Sequence, residues 1–341
     1  MKSNKKSNKS KNNSIKCNKS KKSKIKMKGG NKKFNLVYMA KPPYGGWVSF
    51  TAHLANKFGY DLFKIGNKTE SKTRPYGYDV NYQNVSINDL VKKPNLLITA
   101  IDKNYYQHLP KIKNATIVIH DPTELKPEVL EVLKRFKVLT IRETVNKLLK
   151  DKYNVNNRFQ YHPFYEFPRP KDALNLKQKN KALSLSRVDF DKHTDLIINA
   201  NEKLPSNKKV DIYGALNDLY VYHKLRDTPF KKYYKGKFSK DFSALTDLLK
   251  NTKFLVDMSA IKGDGGGSQY TFLEAIHMNC ALVLNKKWTD NVKTPFKHGV
   301  NCYIVGDENE LANLLKKNLN TEKVVKNAKK LLKEHLIGTG W

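Results

Sequence analysis

The chain has 341 residues, enough for two domains, and a formal net charge of +34. Its three cysteines (Cys17, Cys280 and Cys302) fit neither a zinc pattern nor a disulfide framework, so we expect a reducing compartment. No apolar run approaches the roughly 18 residues of a membrane span, and the N-terminus lacks the apolar core of a signal peptide, which predicts a soluble intracellular protein.

Residues 1–33 contain fourteen Lys and no acidic residue. Such a segment cannot bury enough apolar surface to fold, so we expect a disordered basic tail. More than half of the net charge lies on the rest of the chain. The charge indicates attraction to a polyanion, with nucleic acid first. A Lys- and Asn-rich coding bias that leaves a solvated face is the alternative.

Residues 34–165 are predicted to form a first domain in which strands and helices alternate. Strands are predicted at residues 34–39, 62–65, 96–100, 115–120 and 138–141, and helices at 48–58, 128–136 and 142–152. Residues 67–82 are polar and rich in turn residues, which predicts a loop over an opening. The strands are almost continuously apolar, as is typical of a parallel sheet covered on both faces.

A linker is predicted at residues 166–180, because Pro168-Arg169-Pro170 leads into a Lys- and Asn-rich stretch. The second domain, residues 181–322, has predicted strands at 182–185, 210–213, 234–238, 253–258, 280–284 and 302–305 and helices at 195–204, 243–250 and 309–317. A last helix in residues 323–341 is predicted to return to the first domain. The expected fold is α/β, with two doubly wound domains that bind ligands at the carboxyl ends of their strands, facing a cleft.

Glycines stand at two of these strand ends. Gly45-Gly46 follows the first strand and precedes the first helix, where glycine lets the backbone approach a ligand; a plain turn is the alternative. This is not the G-x-G-x-x-G fingerprint, and Asp61 is too near to bind a ribose, which disfavours a dinucleotide. Residues 265–267 are three glycines between a strand and a helix that Ser268 would cap, an arrangement typical of phosphate binding.

Three further groups are candidates for the chemistry. Arg187 and Lys192 end the first strand of the second domain and suit a diphosphate, although a chance pair is common in so basic a chain. Glu274 lies in an otherwise apolar helical run, so it is either a buried acid with a partner or an exposed helix residue. His120-Asp121 ends a first-domain strand, where the pair could bind an acceptor hydroxyl or only cap a loop.

The order of these motifs resembles the GT-B-fold retaining glycosyltransferases of the family 4-like group, which includes sucrose and glycogen synthases. The resemblance covers roughly residues 34–320 and is carried by Arg187…Lys192, Tyr213-Gly214, the glycines before Leu273-Glu274-Ala275, Cys280-Ala281-Leu282-Val283, and His298-Gly299-Val300-Asn301-Cys302. One departure is Gly266, which stands where the family's Glu-x7-Glu motif has the acid that contacts the donor sugar. This departure puts in doubt which sugar is transferred.

The resemblance implies a retaining hexosyltransferase with a nucleotide-sugar donor, UDP-glucose first, and no obligatory metal. His120, Asp121, Arg187 and Lys192 are the implied catalytic residues. The residues expected to bind the donor are Gly45, Gly46, Arg187, Lys192, Tyr213, Gly214, Gly265, Gly266, Gly267, Ser268, Tyr270, Thr271 and Glu274.

A narrower set of short matches resembles the DNA α-glucosyltransferases of T-even phages: Met39-Ala40, Gly46 to Phe50, His120-Asp121 and Tyr270 to Glu274. This likeness implies a viral protein, acting in the host cytoplasm or nucleus, whose acceptor is a flipped hydroxymethylated base in DNA. Tyrosines among the positive charges could then stack on bases, with ordinary loop packing as the alternative: Tyr76, Tyr78, Tyr105, Tyr106, Tyr233 and Tyr234. The alternatives are a glycan, protein or lipid-linked acceptor, or a non-catalytic nucleic-acid-binding protein on the same scaffold. The oligomeric state is left open.

Overall fold

The structure is a computed structural model that describes residues 33–41, 45–66, 80–121, 124–171, 175–239, 241–260, 269–291, 293–337 and 341. The described residues belong to one compact unit, Lys33–Trp341. The predicted disordered tail and the glycine-rich segment 261–268 lie outside the described residues.

The N-terminal half is a parallel sheet with the strand order β3-β2-β1-β4-β5-β6-β7. Its strands are β1 (Asn35–Met39), β2 (Asp61–Ile65), β3 (Tyr82–Val85), β4 (Leu96–Ile101), β5 (Ala115–Ile119), β6 (Lys137–Thr140) and β7 (Asn157–Phe159). Its helices are α1 (Gly46–Phe58), α2 (Ile87–Leu90), α3 (Pro127–Leu133) and α4 (Glu143–Asp151), with a 3-10 segment at Lys103–Lys111.

The C-terminal half is a second parallel sheet with the order β12-β11-β10-β8-β9. Its strands are β8 (Lys181–Leu185), β9 (Val210–Tyr213), β10 (Thr252–Asp257), β11 (Ala281–Asn285) and β12 (Tyr303–Val305). Its helices are α5 (Thr194–Glu202), α6 (Asp218–Tyr220), α7 (Phe230–Tyr233), α8 (Phe242–Leu249), α9 (Gln269–His277), α10 (Lys286–Asn291), α11 (Glu308–Lys316) and α12 (Glu322–Ile337), with a π-helical turn at Val221–Leu225.

Each sheet has one point where the direction of strand progression reverses. In the first sheet it lies between β1 and β4, and in the second between β8 and β10. In open α/β sheets, ligands bind beyond the carboxyl ends of the strands at such a point. The loops after β1 and β8 carry Gly45-Gly46 and Arg187 to Lys192, so the topology places both predicted motifs at switch points.

The predicted strands and the observed ones differ at three places. Residues 67–79 of the predicted loop lie outside the described residues, and Tyr82 begins β3, which was not predicted as a strand. The strand β7 was not predicted at all, because its three residues are too few for a pattern. The strand predicted at residues 234–238 is wrong: only Tyr234 pairs, in a single bridge to Ile212.

The last helix returns to the N-terminal half, as its contacts show. The Lys57 Nζ, on α1, donates to the carbonyl oxygens of His335 (3.2 Å) and Leu336 (2.5 Å). The Trp341 indole is buried and donates to the Tyr161 carbonyl at 3.0 Å. One continuous cluster of buried apolar residues contains members of both halves. The two sheets are therefore joined through α1, the linker and the end of α12.

Candidate functional site

The loop after β8 carries two cations that share one aspartate. Arg187 donates to Asp189 Oδ2 at 2.7 Å and lies 3.4 Å from Asp191 Oδ2. The Lys192 Nζ lies 3.5 Å from the same Asp191 oxygen. The structure thus brings the predicted Arg187 and Lys192 together, with Asp191 between them.

The two cations differ in exposure. The Arg187 side chain is 57% exposed, whereas that of Lys192 is 7% exposed. The Lys192 Nζ donates to Ser259 Oγ at 3.0 Å, just beyond β10, and the Ala260 amide donates to the Asp191 carbonyl at 3.1 Å. Lys192 therefore joins the two loops of the switch point. Residues 261–268, including Gly265, Gly266, Gly267 and Ser268, follow directly but lie outside the described residues.

Gly214, after β9, has a structural reason to be glycine. A Cβ atom there would lie 1.8 Å from the carbonyl oxygen of Ser186, which no side chain could tolerate without movement of the backbone. The neighbouring Tyr213 is half-buried, and this burial raises the pKa of its hydroxyl. Gly214 thus lets the loop after β9 close against the residue that precedes Arg187.

The N-terminus of α1 is the corresponding feature of the first sheet. Gly45 precedes the helix with φ +95°, a conformation that favours glycine, and no acidic residue lies in the first turn. No described residue lies within 4 Å of a Cβ placed at Gly45 or Gly46. An uncapped helix start leaves backbone N–H groups and the positive end of the helix dipole available to an anion. No described residue therefore blocks an approach to the glycine pair, and its predicted contact with a ligand stays a prediction.

His120 lies beside this helix start and is buried. Its Nε2 donates to the Thr99 carbonyl at 2.7 Å, and its ring lies 4.8 Å from that of Phe50. Burial lowers the pKa of His120 to about 4. The imidazole is therefore neutral near pH 7, with its lone pair on Nδ1, while the adjacent Asp121 is half-buried.

Glu124 is a buried acid that the sequence reading missed. It is 3% exposed; Oε1 accepts from the Trp47 indole at 2.7 Å and Oε2 accepts from the His120 amide at 3.1 Å. Burial, followed by the nearby Asp121, raises the pKa of Glu124 well above its usual range. Its position four residues after His120 was the available signal, but nothing in the sequence identified Trp47 as its partner.

Of the two alternatives predicted for Glu274, the structure shows the buried acid with a partner, not the exposed helix residue. Its carboxylate is 2% exposed and Oε1 lies 3.1 Å from Nε2 of His53, on α1. On the same helix, the Tyr270 hydroxyl donates to the Pro163 carbonyl at 3.0 Å, and Thr271 is buried. Glu274 and Tyr270 therefore hold α9 against α1 and the segment that follows β7, and the predicted donor contacts of all three residues stay predictions.

Other features contribute less to the site. A groove of about 330 Å³ lies between the end of α1 and the starts of β2 and β3, at the opposite edge of the sheet from His120. Tyr233 is buried, so its predicted role in base stacking is wrong.

In the described part of the chain, no three His, Cys, Asp or Glu side chains are grouped to hold a metal ion. None of the described helices is long and apolar enough to cross a membrane.

No protein-family model matches the chain, and no curated protein matches it in sequence. Solved structures do resemble it. HepE (Alr3699) of Anabaena, solved with UDP and glucose, is 13% identical over 89% of this chain and 96% of its own, with a TM-score of 0.62. A glycosyltransferase of Rickettsia africae is 11% identical over 90% and 94%, with a TM-score of 0.60.

A third similar structure is the UDP-forming α,α-trehalose-phosphate synthase of Burkholderia vietnamiensis, 10% identical over 89% of this chain and 93% of its own, with a TM-score of 0.54. At such identities the likeness shows the fold and not the reaction. The predicted GT-B fold, with two parallel α/β sheets, is confirmed. The narrower likeness to phage DNA glucosyltransferases is not shown by these comparisons.

Proposed function

We propose that this protein is a glycosyltransferase that moves a sugar from a UDP-linked donor to an acceptor hydroxyl. The observation that carries the proposal is the cation pair at the switch point of the C-terminal sheet, in a fold that it shares with HepE, a protein solved with UDP-glucose. A UDP-sugar carries a diphosphate, and Arg187 and Lys192 offer it a planar guanidinium and a compact ammonium.

In this proposal the two cations stabilise the leaving diphosphate. The acceptor oxygen forms a bond to the anomeric carbon, the bond from that carbon to the β-phosphate oxygen breaks, and the acceptor proton passes to the leaving phosphate. Negative charge grows on the diphosphate as the bond breaks, so fixed cations beside it lower the barrier. Backbone amides at Gly45-Gly46 and in residues 265–267 contribute further positive dipoles. The resemblance favours glucose and retention of the anomeric configuration.

His120 and Asp121 are proposed to line the sugar and acceptor side. A neutral imidazole at the carboxyl end of β5 can hydrogen-bond a sugar or acceptor hydroxyl without repelling the cations. Glu274 is proposed to hold the ribose hydroxyls, and Tyr213, Gly214, Ser268, Tyr270 and Thr271 are proposed to complete the donor site. No obligatory metal is proposed.

The donor can be tested by measuring UDP binding calorimetrically in the full-length protein. Arg187→Ala is expected to weaken UDP binding about tenfold or more, because a charge-assisted hydrogen bond contributes about 1.5–3 kcal/mol. Arg226→Ala is the matched control: Arg226 is 58% exposed and paired with Asp227, much as Arg187 is paired with Asp189. Equal affinities for wild type and Arg187→Ala would refute the assignment of the diphosphate site.

The proposed acceptor is a hydroxymethylated base in DNA, supported by the net charge of +34 and the short phage-like matches. The test is transfer of labelled glucose from UDP-glucose to duplex DNA with and without 5-hydroxymethylcytosine, beside an oligosaccharide acceptor. Label only in the modified duplex is the expected result. Label only in the oligosaccharide would favour the glycan, protein or lipid-linked class. Salt-sensitive DNA binding without UDP binding would favour the non-catalytic alternative.

A further inference from the structure

His53 occupies an enclosed position between the two halves of the molecule. Its side chain is fully buried, and its ring is stacked between those of Phe164 (4.9 Å between centroids) and Tyr270 (4.6 Å). Phe164 lies in the segment between β7 and β8 and Tyr270 lies on α9, whereas His53 itself is on α1. The imidazole plane is thus fixed by contacts from three parts of the fold.

The hydrogen bonds of His53 define which ring nitrogen carries the proton. The backbone N–H of Tyr165 donates to Nδ1 at 3.0 Å, and an amide N–H can only donate. The proton of the neutral ring is therefore on Nε2, which donates to Glu274 Oε1 at 3.1 Å. Both ring nitrogens are used, so His53 holds the Glu274 carboxylate in one orientation relative to α1 and the segment that follows β7.

We propose that His53 is a positioning residue for the donor nucleotide: it orients Glu274 so that the carboxylate can accept hydrogen bonds from the ribose hydroxyls. The proposal rests on the proposed function. A carboxylate can accept several hydrogen bonds at once on its two oxygens, so a bond from His53 does not by itself prevent a bond from a second donor. A carboxylate that is 2% exposed needs such a fixed partner, because an unpaired buried charge is strongly unfavourable.

The position of His53 on α1 also connects the two ends of the proposed donor site. His53 lies seven residues after Gly46, about two helical turns from the uncapped start of α1. Glu274 lies on α9, which follows the glycine-rich segment directly. The helix α1 and one hydrogen bond therefore connect Gly45-Gly46 to Glu274, the residue proposed to bind the ribose. Because the carboxylate is covered, a ribose can reach it only if the groups around α9 move.

The test compares the affinities for UDP and for 2′- and 3′-deoxy-UDP, which each lack one ribose hydroxyl. In the wild type, UDP is expected to bind about tenfold or more tightly than at least one analogue, as one hydrogen bond to a charged group predicts. His53→Ala should bind UDP more weakly and lose this discrimination. A purely structural role would weaken the binding of UDP and of the analogues by the same factor.

Two isosteric variants separate the two contacts of His53. His53→Gln places an amide donor near the Nε2 position and is expected to restore the discrimination, whereas His53→Asn keeps only an acceptor near Nδ1 and should not. They also keep the test valid if His53→Ala does not fold. His335→Ala is the control, because His335 is part-buried at the seam between the two halves, where the end of α12 meets α1, and its ring bonds to the His162 carbonyl at 2.9 Å. This variant should keep the discrimination.

Three results would count against the proposal, and they are distinguishable. Absence of UDP binding in the wild type would refute the proposed function and this inference with it. UDP binding without discrimination in the wild type would remove the role of Glu274 and therefore of His53. Discrimination that persists in a folded His53→Ala would overturn the role of His53 alone.

Discussion

At the scale of single residues, alanine substitutions at Gly214 and at Gly46 are expected to change stability in opposite directions. Gly214→Ala should lower the free energy of unfolding by at least about 1–3 kcal/mol, because its Cβ would overlap the Ser186 carbonyl oxygen in a packed region. The displaced backbone precedes Arg187, so UDP binding should weaken as well. Urea denaturation and calorimetry measure the two effects. A variant as stable as the wild type would contradict the packing described here.

Gly46→Ala is the counterpart, and it separates structure from ligand binding. A Cβ at Gly46 meets no described residue within 4 Å, and alanine is a better helix former than glycine, so stability should rise by about 0.5–1 kcal/mol or stay unchanged. If a phosphate approaches this backbone, the added methyl group should weaken UDP binding. Unchanged affinity in the stable variant would mean that Gly45-Gly46 is an ordinary turn.

The sequence located residues that sit at strand ends and missed those defined by distant partners. Arg187 and Lys192 could be placed because a buried strand precedes them and parallel strands end at one edge. His53 bonds to Glu274 from 221 positions away, and Trp47 bonds to Glu124 from 77. No local sequence pattern identifies such pairs, because each member lies in a helical or loop segment whose composition does not point to a distant partner. The seam between the two halves was therefore not predictable in detail.

At the scale of elements, α1 contacts three separate parts of the fold. Its start faces the candidate site, its middle bonds to α9 through His53, and its last turn caps α12 through Lys57. The Lys57 Nζ donates to three carbonyl oxygens, those of Phe164, His335 and Leu336. Three donors on one ammonium meet three acceptors, two of them at the end of α12.

Lys57→Ala should therefore loosen the end of α12. The loss of three hydrogen bonds to part-buried carbonyls is expected to lower the free energy of unfolding by about 1–3 kcal/mol. This loss is partly offset because the variant no longer buries a charged ammonium group. Hydrogen exchange should become faster in α12 and around Trp341, whose indole bonds to Tyr161. Lys134→Ala, which removes an exposed pair with Glu131, is the control and should change neither quantity. Unchanged exchange in α12 would show that the helix is held by its apolar face alone.

Strand prediction succeeded where burial was continuous and failed at both edges of the first sheet. The central strands β1, β4 and β10 are almost wholly buried, so their apolar runs stand out in the sequence. The edge strands β3 and β7 have three or four residues and mixed exposure. Parallel pairing to a buried neighbour, rather than their own composition, makes these segments strands, which is information that a single sequence does not carry.

At the scale of the whole molecule, buried histidines are expected to make the stability of the fold depend on pH. His120 is packed beside α1, and His277 bonds through Nε2 to the Phe167 carbonyl at 2.8 Å. Burial lowers the pKa of both to about 4 from an ordinary value of 6.5. Burial likewise lowers the pKa of His162 well below its usual range and lowers that of His335. All four are neutral in the folded protein near pH 7, and three of them lie at the seam between the halves.

The sign of the resulting pH dependence follows from proton uptake. Between about pH 6.5 and pH 4 the unfolded chain protonates these histidines and the folded chain does not, so the free energy of unfolding should fall as the pH falls through this window. Above pH 7 they should contribute no slope. Urea unfolding at pH 7.5, 6 and 5 measures the effect. His277→Gln keeps an N–H donor near the Phe167 carbonyl but cannot be protonated, so the variant should lose less stability on acidification than the wild type. Equal losses in the two proteins would show that His277 does not contribute to the acid sensitivity of the seam.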